Sequence, residues 1–395
     1  MITPEPRTSA TAKLLSSFAP RRARDLAVEL LARAGITVGG DRPWDLQVHD
    51  ERLWSRVLRD GTLGVGESYM EGWWDAPALD QLLERALRVR MQDVLRDSWT
   101  ALPHVLRAKL LNLQSLRRAF DNVHRHYDIG NDLYRAMLGE RMMYTCGYWP
   151  PGPPGADGLD AAQDAKCELV CRKIALRPGM RVLDLGCGWG GFAAYAAEQH
   201  GAKVVGYTVA EEQVTWAREK YAHLDVDIRH EDYRNATGVF DAVVSIGLLE
   251  HVGPKNYRGY MELVDRCLAT GGVAFVHTIA GNRARADLDP WFDRYIFPGA
   301  VLPTLGRLVE ATDGLFIVED VHNLGEDYDR TLMAWWGNFE RAWPDLRTRY
   351  GDTFYRMWKF YLHASAAAFR ARRQQLYQLV LTRVGTPCPP GRRGT

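Results

Sequence analysis

The sequence predicts an α/β protein built on a Rossmann-like, mostly parallel sheet with helices on both faces, preceded by a smaller, mainly helical domain. Three observations predict it. From residue 181 onward short apolar runs alternate with helical stretches, which is how a parallel sheet covered on both faces reads. The first run, Val182–Leu185, ends in the glycine turn Gly186-Cys187-Gly188-Trp189-Gly190-Gly191. Before residue 120, helical periodicity predominates instead.

Taken in order, residues 1–10 are polar and are expected to lack fixed structure. Residues 12–34 read as helix, interrupted near Pro20. Residues 36–60 (ITVGG, DLQVHD, RLWSRVL) read as strand-rich, and a helix runs from Leu79 to about Arg96. Residues 104–119 form an amphipathic basic helix carrying Arg107, Lys109, Arg117 and Arg118. It either packs its apolar stripe on its own domain or lies on anionic lipid. The boundary falls near 120–130, giving domains 1–120 and 121–385 with a loose tail at 386–395. After a Pro/Gly-rich loop at 150–158 and a helix at 160–176, the chain reads strand, glycine turn, helix, strand, helix. DVDIRHEDY, FDAVVSIGLLEHVG and GGVAFVHTIA supply three further strands.

The 395 residues suit two domains. A net charge of +1 provides no global field toward nucleic acid, and no nucleic-acid partner is expected. No signal peptide and no apolar stretch long enough to span a bilayer is read. The six cysteines are spaced neither as a disulfide framework nor as a zinc site, so no metal is expected and a reducing cytoplasm fits.

Glycine at the end of the first strand lets a ligand approach the backbone and presents helix N–H groups to it. The pattern from Asp184 is D-x-G-x-G-x-G, which favours an S-adenosylmethionine turn. A dinucleotide site would place an acid at the end of the second strand, where this chain has Tyr207-Thr208. A purely structural tight turn is the other alternative. Asp232-Tyr233 follows the third strand, where an acid can take an adenine amino group and an aromatic can cover the ring. Core packing is the equal alternative for Tyr233.

HYDIGNDLY (126–134), MMYTCGYW (142–149), VLDLGCGWGG (182–191), LLEHVGPKNY (248–257), FVHTIA (275–280), DPWFDRYIFPGAVLP (289–303) and EDYDRTLMAWW (326–336) resemble the cyclopropane-fatty-acyl-phospholipid synthases. GESYMEGWWD (66–75) resembles the N-terminal domain of the phospholipid-acting members, which mycolic acid cyclopropane synthases lack. The resemblance runs from about residue 36 to 384. It implies a class I methyltransferase fold and a homodimer bound peripherally to an unsaturated phospholipid bilayer at the inner face of the plasma membrane. It implies that S-adenosylmethionine is held by Tyr144, Thr145, the Gly186–Gly190 turn including Gly188, Thr208 through Gln213, and Asp232-Tyr233. It also implies a bicarbonate ion whose ligands map onto Cys146, Glu250, His277, Ile279 and Tyr328.

The implied chemistry makes these residue types sensible. An alkene attacking the cofactor methyl leaves a carbocation, which must lose a proton from the added methyl to close the ring. A small bound anion supplies a base within an apolar channel without a long side chain crowding the lipid. Glu250 is expected to accept the bicarbonate O–H. Aromatic faces steady a cation by roughly 0.5–2 kcal/mol each. Taken singly, Glu250 caps a helix, His277 is a satisfied buried histidine and Cys146 is a small core residue; their joint occurrence in matched motifs favours function. Where the family often carries a Cys in the late helical motif, this chain has Ser365, which weakens any covalent-cysteine mechanism. The alternatives are a relative that leaves a methyl-branched or methylene lipid, and a non-catalytic lipid-binding protein.

Overall fold

The computed structural model describes residues 20–91, 130–150, 158–285 and 288–391, so the basic helix expected over 104–119 lies outside the described residues. Two compact units divide the chain. One draws on Met1–Leu111, Ala286–Ile296 and Pro344–Arg373, and the other on Asn112–Arg285, Phe297–Trp343 and Gln374–Thr395.

The first unit is mainly helical, with helices Pro20–Arg33, Arg52–Met70 and Leu79–Arg88. The strand-rich reading of residues 36–60 is corrected here. Only β1 (Gln47–Val48) pairs, antiparallel with β2 (Trp74–Asp75), beside one bridge between Val38 and Leu46. RLWSRVL instead opens the helical stretch Arg52–Met70, which kinks at Gly61 (φ 59°, ψ −134°) and buries Leu53 and Trp54 before the kink and Gly64, Ser68 and Tyr69 after it. Later segments complete the core. Trp291, in helix Pro290–Tyr295, and Phe360 pack with centroids 4.7 Å apart, and Phe360 lies 5.5 Å from Tyr69. A Cβ at Gly66 would overlap the Trp291 indole, so only glycine admits this approach. Arg356 donates to the carbonyls of Tyr69 (2.5 Å) and Trp74 (3.0 Å) and to Asp75 (2.9 Å).

The second unit carries a seven-stranded sheet: β3 (Arg181–Leu185), β4 (Lys203–Thr208), β5 (Val226–His230), β6 (Phe240–Ile246), β7 (Leu268–Gly281), β8 (Ile317–Asn323) and β9 (Gln374–Thr382). Their order is β5-β4-β3-β6-β7-β9-β8. β3 to β7 pair in parallel, and β9 runs antiparallel between β7 and β8. Side chains alternate across the pleat, and both faces are covered. Val182, Val204, Val244, Phe275 and Val380 meet Cys167, Val170 and Cys171 of helix Gly158–Lys173 and Phe192 of helix Gly191–His200. Leu183, Leu185, Val243, Val276 and Leu379 meet Tyr260, Met261 and Val264 of helix Tyr257–Cys267. Burial on both faces is why these strands read as apolar runs rather than as an alternation.

Candidate active site

β3 lies mid-sheet, with β4 on one side and β6 on the other. The strand order reverses there, and ligands of such sheets bind beyond the carboxyl ends at that point. The turn after β3 holds Gly186 (φ 78°), Gly188 (φ 55°) and Gly190 (φ 76°) in the left-handed region, which costs other residues roughly 1–2 kcal/mol each. The N–H groups of Gly186 and Cys187 both donate to the Tyr207 carbonyl, at 3.0 and 2.9 Å. A Cβ at Gly188 would meet nothing within 4 Å, so this stretch of backbone is open to a ligand.

Around the turn stand the other expected cofactor residues. At the end of β4, the Thr208 hydroxyl donates to Gln213 Oε1 at 2.7 Å, both side chains being buried. After β5, Asp232 is buried and accepts from the Arg234 N–H at 2.9 Å. The Tyr233 ring packs into the apolar cluster, 5.9 Å from Tyr260. Asp184 projects from β3 on the same face as Val182; burial pushes its carboxyl up to about 7, against the pull of Lys166. An open glycine turn with buried acceptors on neighbouring strand ends fits a cofactor carrying ribose and adenine.

A second cluster forms at the ends of β6 and β7. The Gly247 N–H donates to the His277 carbonyl at 2.8 Å. Glu250, on the single-turn helix Leu249–Val252, accepts the Ile279 N–H on Oε1 at 2.6 Å. The Ile279 amide is therefore engaged in holding Glu250. Burial raises the Glu250 carboxyl to about 7, with the Ile279 amide working in the opposite direction. Burial also pushes the His277 imidazole well below its usual range, with Lys166 and Lys173 adding to the effect. Glu250 Oε2 and His277 Nε2 are both buried without a hydrogen-bond partner. An unmet buried polar atom costs about 1–3 kcal/mol, so each of these two atoms calls for a polar partner. One offers acceptor capacity and a neutral imidazole offers one donor or acceptor nitrogen, which fits the O–H and oxygens of bicarbonate.

Cys146 is wholly buried, its Sγ 3.0 Å from the Gly147 carbonyl. Burial pushes its thiol well above the usual range, so it stays protonated. Tyr328, on the helix Gly325–Arg370, meets Trp335 edge-on at 5.9 Å, and Trp335 lies 5.2 Å from Tyr144. Thr331 of that helix accepts the Gly147 N–H at 3.0 Å, pinning the 144–147 segment. Among the described residues no group of His, Cys, Asp and Glu has the makings of a metal site.

The family model described as mycolic acid cyclopropane synthetase matches residues 114–379. The chain belongs to that cyclopropane synthetase family. Its similarity to the cyclopropane-fatty-acyl-phospholipid synthase of Escherichia coli K12 is 45% identity, covering 91% of this chain and 93% of that relative. It is 31% identical to the tuberculostearic acid methyltransferase of Mycobacterium tuberculosis, over 97% of this chain and 94% of the relative. Among solved structures, a mycolic acid cyclopropane synthase complexed with SAH and CTAB aligns with a TM-score of 0.61 at 28% identity, covering 66% of this chain and 97% of that one. The cyclopropane synthase MmaA2 of Mycobacterium tuberculosis aligns with a TM-score of 0.62 at 26% identity, over 66% and 97%. The fold is that of the S-adenosylmethionine-dependent methyltransferases.

Two residues of this cyclopropane synthetase relative escaped the sequence reading. Lys166 is wholly buried in helix Gly158–Lys173 and donates to Thr145 Oγ1 at 3.0 Å. Its charge acts on Asp184, Cys146 and His277 alike. Its signal was positional, since Lys166 falls among Gln163, Cys167, Leu169 and Val170, all buried in that helix, a place where lysine is costly without a reason. The other is Gln378 of β9, the register partner of His277. Ser365 falls in the first unit, half-buried on the helix Gly325–Arg370.

Proposed function

We propose that this protein transfers a methylene group from S-adenosylmethionine to the cis double bond of unsaturated acyl chains in membrane phospholipids, closing a cyclopropane ring, with bicarbonate as the base. The observation that carries the reading is the pair of unmet buried atoms, Glu250 Oε2 and His277 Nε2. The likeness to the Escherichia coli synthase over nearly its full length supports the substrate. When bound, S-adenosylmethionine supplies an electrophilic methyl group and bicarbonate supplies a compact proton acceptor.

The chain's own residues prepare that chemistry. Glu250, held through Oε1 by the Ile279 amide, directs Oε2 as acceptor for the anion's O–H. His277, kept neutral by burial, offers Nε2 without adding a fixed charge. Lys166, whose own ammonium burial pulls below its usual range, stands where any positive charge it keeps favours the anion and Asp184. Tyr144, Trp335 and Tyr328 form an aromatic run suited to a transient cation. Peripheral contact with the bilayer belongs to this proposal, since the substrate resides there, as does the homodimer, on the resemblance alone. No helix among the described residues is long and apolar enough to cross a membrane.

The test is turnover on vesicles of cis-monounsaturated phospholipid, in carbonate-free buffer and in the same buffer with bicarbonate restored at fixed pH. The expected product gains one CH₂ and lacks an alkene by NMR, and the rate falls without bicarbonate and recovers with it. The similarity to the tuberculostearic acid methyltransferase favours a second reading, a methyl-branched or methylene product; methyl-branch or olefinic signals at the same mass gain would select it.

A further inference from the structure

We propose that Gln378 is a positioning residue that fixes the tautomer of His277, so that His277 Nε2 carries a proton and serves the bound anion as a donor. This rests on the bicarbonate reading above and assigns within it which group gives and which receives a proton. β7 and β9 pair antiparallel with His277 opposite Gln378, so the two side chains leave the same face of the sheet. That is the face of Phe275 and Val380, covered by helix Gly158–Lys173. Gln378 is wholly buried, and its amide nitrogen lies 3.3 Å from His277 Nδ1. His277 Nε2, at the other side of the ring, is buried with no partner.

A neutral imidazole has one donor and one acceptor nitrogen. With its nitrogen facing the ring at 3.3 Å and its Oε1 buried without a partner, the Gln378 amide can only donate here, so Nδ1 accepts and the ring proton resides on Nε2. The charged groups acting on the ring, Lys166 and Lys173, both oppose a second proton, so the ring stays neutral and this single choice decides its role. An Nε2–H group anchors an anion oxygen and is unable to take a proton from the reacting methyl. The task of base then falls to the anion, oriented by Glu250. With the Gln378 amide turned over, Nδ1–H would donate to Oε1 and Nε2 would become a competing base.

The experiment is ¹⁵N NMR of the full-length protein labelled at histidine, together with steady-state rates against bicarbonate concentration for the parent, Gln378→Met and Gln378→Glu. The parent is expected to show His277 as the neutral Nε2–H tautomer. Gln378→Met removes the donor at nearly constant volume, so the ring should populate both tautomers. Half-saturating bicarbonate should rise about tenfold, as for loss of one hydrogen bond to a charged group, while kcat recovers at high bicarbonate. Gln378→Glu replaces the donor with an acceptor, so Nδ1 should become protonated and half-saturating bicarbonate should rise further. S-Adenosylhomocysteine binding by calorimetry serves as the control for folding; if neither variant folds, the tautomer of the parent decides. An Nδ1–H tautomer in the parent, or, where the parent depends on bicarbonate, an unchanged dependence in folded Gln378→Met, would overturn the proposal. An Nε2–H tautomer in an enzyme indifferent to bicarbonate would uphold Gln378 as the positioning residue and overturn the bicarbonate reading instead.

Discussion

Replacing Glu250 by glutamine separates what the carboxyl does for catalysis from what its burial does to stability. In the folded protein the carboxyl titrates at about 7, against an ordinary 4.5, because burial disfavours its anion more than the Ile279 amide favours it. At 1.36 kcal/mol per unit, that displacement corresponds to about 3 kcal/mol. The group binds its proton more tightly folded than unfolded, so its contribution is most favourable below pH 4.5. It declines as pH rises toward 7 and levels off above. Glutamine keeps an oxygen to accept the Ile279 N–H but never ionises. Its NH₂ at the Oε2 position is unpaired, a cost of about 1–3 kcal/mol that does not depend on pH. The informative quantity is therefore the difference in unfolding free energy, variant minus parent, followed by urea denaturation of the ligand-free protein from pH 4.5 to 8. It should rise by about 3 kcal/mol across that range. Asp184 titrates in both proteins and cancels. A flat difference would mean that the Glu250 carboxyl is solvated rather than buried. In turnover the same variant should lose about 10²–10⁴ in rate, the usual contribution of a placed acid–base group.

Gly66→Ala should lower the thermal midpoint, because its Cβ overlaps the Trp291 indole and overpacking costs about 1–3 kcal/mol; an unchanged melt would show that Trp291 has room to move. Gly188→Ala has space for its methyl but a left-handed backbone (φ 55°) to maintain. It should stay folded and bind S-adenosylhomocysteine about tenfold more weakly by calorimetry, at about 1.4 kcal/mol per factor of ten; an unchanged Kd would place the cofactor away from this turn.

The elements legible from sequence were those whose signal is local. β3, β4, β6 and β7 announce themselves as largely buried apolar runs ended by glycine or polar residues, whereas β5 shows only the alternation of Val226 and Ile228. β8 escaped because Ile317 and Val321 are exposed and Glu319 and Asp320 interrupt it, so an edge strand carries no apolar alternation. β9 escaped because only residues 371–373 separate it from the helical stretch that ends at Arg370. RLWSRVL misled in the other direction: seven residues rich in Leu, Val and Trp satisfy strand propensity, and the kink at Gly61 cuts short the helical period that would have corrected it. Within the site, Glu250, His277 and the glycine turn stood inside recognisable motifs. Lys166 and Gln378 did not, since their importance comes from facing Thr145 and His277 across a helix and a strand pairing remote in sequence. Asp184 and Glu250 illustrate the same limit, because a carboxyl lifted to about 7 is a property of its surroundings.

The aromatic core around Tyr69 and Trp74 is finished by Trp291 and Phe360, and this sets a timetable for the nascent chain. The N-terminal helices leave the ribosome first, yet the side chains that close their core follow about 220 to 290 residues later. At about 5–20 residues per second that is a delay on the order of tens of seconds. Throughout it the segment has an open apolar face, while β3 to β7 emerge and pair. The N-terminal region is first to be made and waits for Phe360 to be sealed. A gene fragment ending near residue 120 would encode a protein that never receives the residues that seal it.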